Sequence, residues 1–127
     1  IINYVEQPMC TNAWDEYALI IRDYFNIPIM LDESIITIDD LKKASDIGVR
    51  YIKVKLFKQG GIKELINIIK SANLLGLGVV IGNGVATIIS NIVEIEIYRK
   101  YQSFFFGACE ANGHLKVYPV KSLDQCP

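Results

Sequence analysis

The sequence predicts an α/β fold built on parallel strands, and three observations predict it. Short apolar runs alternate with amphipathic helical stretches, and the runs end roughly every 22 to 28 residues, the spacing of parallel strands joined by crossover helices. Hydrophobic residues make up 51% of the chain, which suits a sheet buried on both faces. Several of the runs also end in charged residues, and in folds of this class function sits at the carboxyl ends of strands.

Each element follows from local pattern. Residues 1–5 read as a first strand, stopped by Glu6-Gln7-Pro8 because proline cannot continue a central strand. Trp14, Tyr17, Ala18, Ile21 and Phe25 recur at helical spacing, with Asp15, Glu16 and Arg22 outside, and predict a helix over 14–25. Pro28 precedes a second strand, Ile29-Met30-Leu31, that ends at Asp32. Thr37 is placed to cap a helix that runs through Leu41 and Ala44 and stops at Gly48. The third strand covers 51–56. Gly60-Gly61 then open a helix whose stripe of Ile62, Leu65, Ile66, Ile69 and Ala72 closes at Gly76. A fourth strand, Gly78–Ile81, ends in Gly82-Asn83-Gly84. Residues 85–101 predict an isoleucine-rich helix, its isoleucines read as core, and 104–106 a fifth strand ending in Gly107-Ala108-Cys109-Glu110. Beyond His114 the periodicity is weak and assigns no element.

Composition narrows the function classes. The 127 residues suffice for one domain with a core, and nothing divides them into more than one unit. Thirteen basic and fourteen acidic residues give a net charge of -1, which favours neither nucleic acid nor an anionic membrane. No basic cluster or aromatic stacking platform is present, and no apolar run is long enough to span a bilayer. Cys10, Cys109 and Cys126 are too few and too scattered for a disulfide framework or zinc spacing. A reducing, cytoplasmic setting is the expectation. The chain opens on Ile1, inside what reads as a strand, so a piece of a longer chain is expected.

The chemistry concentrates at the strand ends. In Tyr51-Ile52-Lys53-Val54-Lys55-Leu56-Phe57-Lys58-Gln59-Gly60-Gly61 an apolar strand delivers Lys55 at its end. A lysine there must face a polar cavity, because an unpaired ammonium in a core is very costly. Lys53, two residues back, projects to the same face. Glu6 and Asp32 end the two preceding strands. Five strands and four helices fit either a flavodoxin-like open sheet, complete at this length, or part of an eight-stranded barrel of about 250 residues. A receiver-type domain is disfavoured, since it needs paired acids after its first strand and a single acid after its third.

Val5-Glu6-Gln7-Pro8, then Leu31-Asp32-Glu33-Ser34, then the Lys53 to Gly61 stretch resemble the enolase superfamily, most closely its mandelate racemase/muconate-lactonizing-enzyme branch. The likeness runs from about Asn3 to about Val117. It implies a parallel (β/α) barrel of the TIM type, of which this chain carries strands four to eight, a partial barrel. It implies that Glu6 and Asp32 bind Mg2+ (Mn2+ possible), that Lys55 is the acid/base, and that Glu33 hydrogen-bonds around the metal. Lys53, Asn83, Gly84 and Glu110 would contact substrate. The family also has a Lys-x-Lys pair after its second strand. Lys53-Val54-Lys55 is not that pair, because Gly-Gly follows it and the Asp32 strand precedes it.

The implied reaction is removal of the proton beside a substrate carboxylate through an enediolate, leading to racemisation, epimerisation, dehydration or cycloisomerisation. The enediolate carries two negative oxygens, and a hard divalent cation held by carboxylates stabilises that charge. The family's first three strands and its N-terminal capping domain are not represented. The expected partners are therefore that missing half or a second copy, beside a small carboxylate substrate. A catalytically incomplete half-barrel and a flavodoxin-like binding module are the alternatives.

Overall fold

A computed structural model describes residues 3–24, 26–84 and 87–112. Four strands, β1 (Val5–Glu6), β2 (Ile29–Leu31), β3 (Tyr51–Val54) and β4 (Gly78–Ile81), alternate with four α-helices. These are α1 (Trp14–Asp23), α2 (Ile38–Asp46), α3 (Ile62–Leu74) and α4 (Ile88–Lys100). The strands form one parallel sheet in the order β1-β2-β3-β4. Sequence neighbours are thus sheet neighbours, and among the described residues no point exists where the order reverses. A flavodoxin-like sheet requires such a reversal, whereas consecutive order is that of an arc of a barrel. The flavodoxin-like alternative is set aside on this ground.

Local chemistry accounts for the element ends. Thr37 and Asp40 form a reciprocal capping box on α2, with Thr37 Oγ1 accepting from the Asp40 N–H and the Asp40 carboxylate from the Thr37 N–H. Gly60 and Gly61 stand at φ 82° and 121°, backbone that side chains other than glycine rarely adopt, so the turn from β3 into α3 depends on both.

Alternation along the strands sorts the sheet into two unlike faces. Ile29, Leu31, Ile52, Val54, Val79 and Ile81 point to the helices and join Leu41, Ala44, Leu65, Ile69 and Ala72 in one buried cluster. The opposite face carries Glu6, Met30, Lys53 and Val80, which lie side by side in the registers Glu6–Met30 and Lys53–Val80. Toward its lower end this face is aromatic, with Tyr51 stacked on Phe106 at 4.3 Å and tilted on Tyr4 at 5.9 Å. Charge appears only toward the carboxyl ends.

Three expectations are corrected. The fifth strand over 104–106 is instead a single 3-10 turn, Gln102–Phe104, followed by one bridge between Phe105 and Val79. The segment still follows β4, since Phe106 N–H donates to Val79 O and Glu110 N–H to Ile81 O. Gly107 at φ 80° lies between these two bonds and breaks the ladder. Next, α4 does not bury its isoleucines as a set: Ile89, Ile92 and Ile95 are exposed, while Asn91, Glu94 and Ile97 are buried. Finally, β3 ends at Val54, leaving Lys55 and Leu56 in the turn. Ile1, Ile2, Phe25, Val85, His114, Val117 and Cys126 lie outside the described residues.

Candidate active site

The charged residues meet where the strands end. Lys53, 5% exposed on β3, reaches across β2 to Glu6 on β1, with Nζ 2.6 Å from Oε2. On its other side the same ammonium lies 3.0 Å from Oε1 of Glu110. Burial alone would lower the Lys53 pKa, but the two carboxylates outweigh it and hold the ammonium above the ordinary lysine value. Lys55, two residues on, pairs with Oδ2 of Asp32 and lies 3.9 Å from Glu33 Oε1.

Lys58, which the sequence reading quoted but gave no role, completes the cluster. Its Nζ donates to Asp32 Oδ1 at 2.7 Å, to Asp32 O at 2.6 Å and to Lys53 O at 2.7 Å. These three bonds use all three donors of an ammonium. Burial opposes charge on both partners, lowering Lys58 and pushing Asp32 up. On Asp32 the hydrogen bonds from Lys55 and Lys58 reverse that effect, and its carboxyl stands below the usual aspartate range.

Gln7 is the second residue without an assigned role. Its backbone has φ 37°, the one non-glycine residue with positive φ among those described. Its Oε1 accepts from the N–H groups of Asp32 and Ser34, and its Nε2 donates to Met9 O, Tyr17 Oη and Ser34 Oγ. The loop after β1 is thereby tied to the loop after β2, which orients Glu6 and Asp32 toward the same mouth. The legible signal was position: Gln7 and Lys58 sit inside the motifs that supply Glu6 and Lys55.

The remaining predicted residues border this cluster. Asn83 Nδ2 donates to Asn112 Oδ1 at 2.5 Å and to Asn91 Oδ1 at 3.4 Å, while its own Oδ1 is buried with no hydrogen-bond partner. Gly84 underlies the ring of Phe57, where a Cβ would sit 2.5 Å from Cε1. Gly82 gives Lys53 its path: a Cβ there would stand 2.5 Å from Lys53 Cδ and 2.7 Å from Cγ. Because that stem is buried and fixed at both carboxylates, Gly82→Ala is expected to cost about 1–3 kcal/mol by overpacking. A lowered urea midpoint at unchanged m-value checks it; an unchanged midpoint would show that the stem has room to yield.

Among the described residues, no group of three or more His, Cys, Asp or Glu side chains is arranged to hold a metal ion. Glu6 and Asp32 nevertheless offer hard carboxylate oxygens from adjacent strand ends. Two carboxylates with water and substrate oxygens suit Mg2+, which keeps several waters and takes few protein ligands. By chemistry that donor set suits the ion, while in this structure Lys53 engages Glu6, and Lys55 and Lys58 engage the two oxygens of Asp32. No helix is long and apolar enough to cross a membrane among the described residues.

A parallel sheet in consecutive strand order, with acids and lysines gathered at its carboxyl ends, is the arrangement of an α/β domain similar to an arc of a barrel. A family model described as "Enolase C-terminal domain-like" matches residues 2–109, and the chain belongs to that family. Relatives include an L-Ala-D/L-Glu epimerase of Clostridium acetobutylicum, 34% identical over 83 residues, and an L-Ala-D/L-amino acid epimerase of Maribacter sp., 31% identical over 83 residues. Each match covers 64% of this chain but 23% of the relative, so the chain spans about a quarter of those enzymes. In fold, it resembles N-succinyl Arg/Lys racemase of Bacillus cereus (TM-score 0.82, 22% identity, 92% of this chain and 31% of that one). It likewise resembles muconate lactonizing enzyme of Pseudomonas putida (TM-score 0.79, 23% identity, 90% and 32%).

Proposed function

We propose that this chain is part of an enzyme that removes the proton beside a substrate carboxylate, with epimerisation of a dipeptide as the outcome the relatives favour. The observation that supports the reading is the row of ion pairs at neighbouring strand ends, Glu6 with Lys53 and Asp32 with Lys55 and Lys58. Lys55 Nζ is the acid/base at the α-carbon. Glu6 and Asp32 hold Mg2+ or Mn2+, which when bound supplies positive charge against the negative oxygens of the enediolate. Glu33 hydrogen-bonds at the edge of that site. Lys53, Asn83, Gly84 and Glu110 line the substrate side.

Epimerisation needs a proton acceptor on each face of the α-carbon, and Lys55 serves one. The acceptor for the second face and the cap that closes over substrate would come from the family's first three strands and capping domain, which this chain does not represent. The strands present here thus correspond to strands four to seven of the barrel, with the segment after α4 in the place of the eighth. A cytoplasmic location follows for an enzyme of free dipeptides.

The test is exchange of the α-proton of L-Ala-L-Glu for solvent deuterium, with and without Mg2+. Metal-dependent exchange is expected, and Glu6→Gln and Asp32→Asn should each weaken Mg2+ binding, read by Mn2+ competition, by about tenfold or more. Exchange indifferent to Mg2+, with both variants binding it as the parent does, would overturn the assignment.

A further inference from the structure

α4 buries the wrong residues for a helix that only packs. Asn91 and Glu94 are 5% and 1% exposed, whereas Ile89 and Ile92 are 65% and 55% exposed on the same helix. None of the ion pairs among the described residues includes Glu94. A carboxylate withdrawn from water without a cation persists only where hydrogen bonds compensate it.

Both of its oxygens are engaged. Oε1 accepts from the backbone N–H of Leu56 at 3.0 Å, and Oε2 accepts from Asn91 Nδ2 at 2.9 Å. Leu56 is the residue after Lys55. The N–H of Lys55 itself donates to Gln59 Oε1 at 2.7 Å, and Gln59 Nε2 donates to Ile35 O at 3.0 Å. Two consecutive N–H groups that would have continued β3 are thus taken up by side chains. One belongs to the turn and the other to a helix 38 residues away in sequence. On its far side Asn91 Oδ1 receives Asn83 Nδ2, so a line of hydrogen bonds joins the Lys55 turn to the turn after β4.

We infer that Glu94 is a positioning residue for Lys55. Its carboxylate fixes the peptide that carries the base and, through Asn91, sets that peptide at one spacing from the Asn83 turn. The inference rests on the reading of Lys55 as the acid/base.

The experiment uses the chain joined to the part of the barrel and the cap that complete it, with Glu94→Leu, which removes the acceptor, and Glu94→Gln, which keeps an oxygen for Leu56. With L-Ala-L-Glu and Mg2+, Glu94→Leu is expected to lower kcat for α-deuterium exchange about 100-fold, the penalty of a slightly misplaced base. KM should stay within about threefold, and Glu94→Gln should return kcat to within about tenfold of the parent. Parent-like kcat in Glu94→Leu, or equal losses in both variants, would overturn the inference. Should Glu94→Leu not fold, Asn91→Ala removes the donor to the second oxygen and the acceptor for Asn83: a fall in kcat at unchanged KM supports the role, and no fall overturns it.

A readout independent of turnover separates this inference from the proposed reaction. Amide exchange at Leu56 and the NMR signal of reductively methylated Lys55 should both move in Glu94→Leu and stay near parent values in Glu94→Gln. If the parent exchanges no α-deuterium, the proton-abstraction reading fails while these two signals still decide whether Glu94 positions the lysine. Signals unmoved by Glu94→Leu reject it.

Discussion

Lys55→Ala is expected to abolish α-proton exchange while leaving the protein folded. Removing a positioned general base typically costs a factor of about 10²–10⁴, so exchange should fall below detection in hours-long deuterium NMR. The other two lysines of the cluster cannot stand in for it. Lys58 spends its three donors on Asp32 Oδ1, Asp32 O and Lys53 O, and Lys53 is gripped between Glu6 and Glu110 with its pKa held up. Lys55 has one close partner, Asp32, with Glu33 at the margin, and is the ammonium best able to exchange that contact for a substrate. Folding should survive because Asp32 keeps its bonds to Lys58. Exchange at the parental rate in Lys55→Ala would move the base elsewhere in the cluster.

Lys58→Met is expected to be the most destabilising single substitution at the site. Its side chain and that of Asp32 are 10% and 3% exposed, so removing the ammonium leaves a buried carboxylate short of a partner. The carbonyls of Asp32 and Lys53 each lose one donor as well, although Asp32 O keeps the Ile35 N–H. Breaking a buried pair on one side costs about 3–5 kcal/mol, which urea denaturation would read as a large fall in midpoint. Lys58→Arg should recover only part of this, because a planar guanidinium does not satisfy three acceptors arranged around one ammonium. An unfolding free energy within about 0.5 kcal/mol of the parent would mean that water replaces Lys58 without loss. Because Asp32 is also a proposed metal ligand, the unfolding measurements belong in metal-free buffer.

Much of this architecture was legible before any coordinates. The strand–helix alternation, the Thr37 cap, the Gly60-Gly61 turn and the placing of Glu6, Asp32 and Lys55 at strand ends follow from short-range rules. Proline stops a strand, glycine permits positive φ, and a two-residue period fixes which side chains share a face. Lys53 and Lys55 were expected on one face, and both do meet carboxylates there. The fifth strand failed because Phe104, Phe105 and Phe106 look like a strand locally, yet Gly107 and the preceding 3-10 turn leave only one bridge to β4. The α4 isoleucines failed for a different reason. Its apolar and polar residues are spread around the helix without a one-sided stripe, so periodicity could not say which side faces the sheet.

The sequence alone determined the order of elements and the residue types at each strand end, because both depend on a few neighbouring residues. Only the tertiary structure decided that Lys58 and Gln7 lock the acids in place and that Glu94, rather than an isoleucine, turns inward beneath Lys55. Those contacts join residues 25 to 38 positions apart, and no local period encodes which distant carboxylate an N–H or an ammonium will meet. Burial, by removing water as a competitor, made those few pairings the ones that had to form.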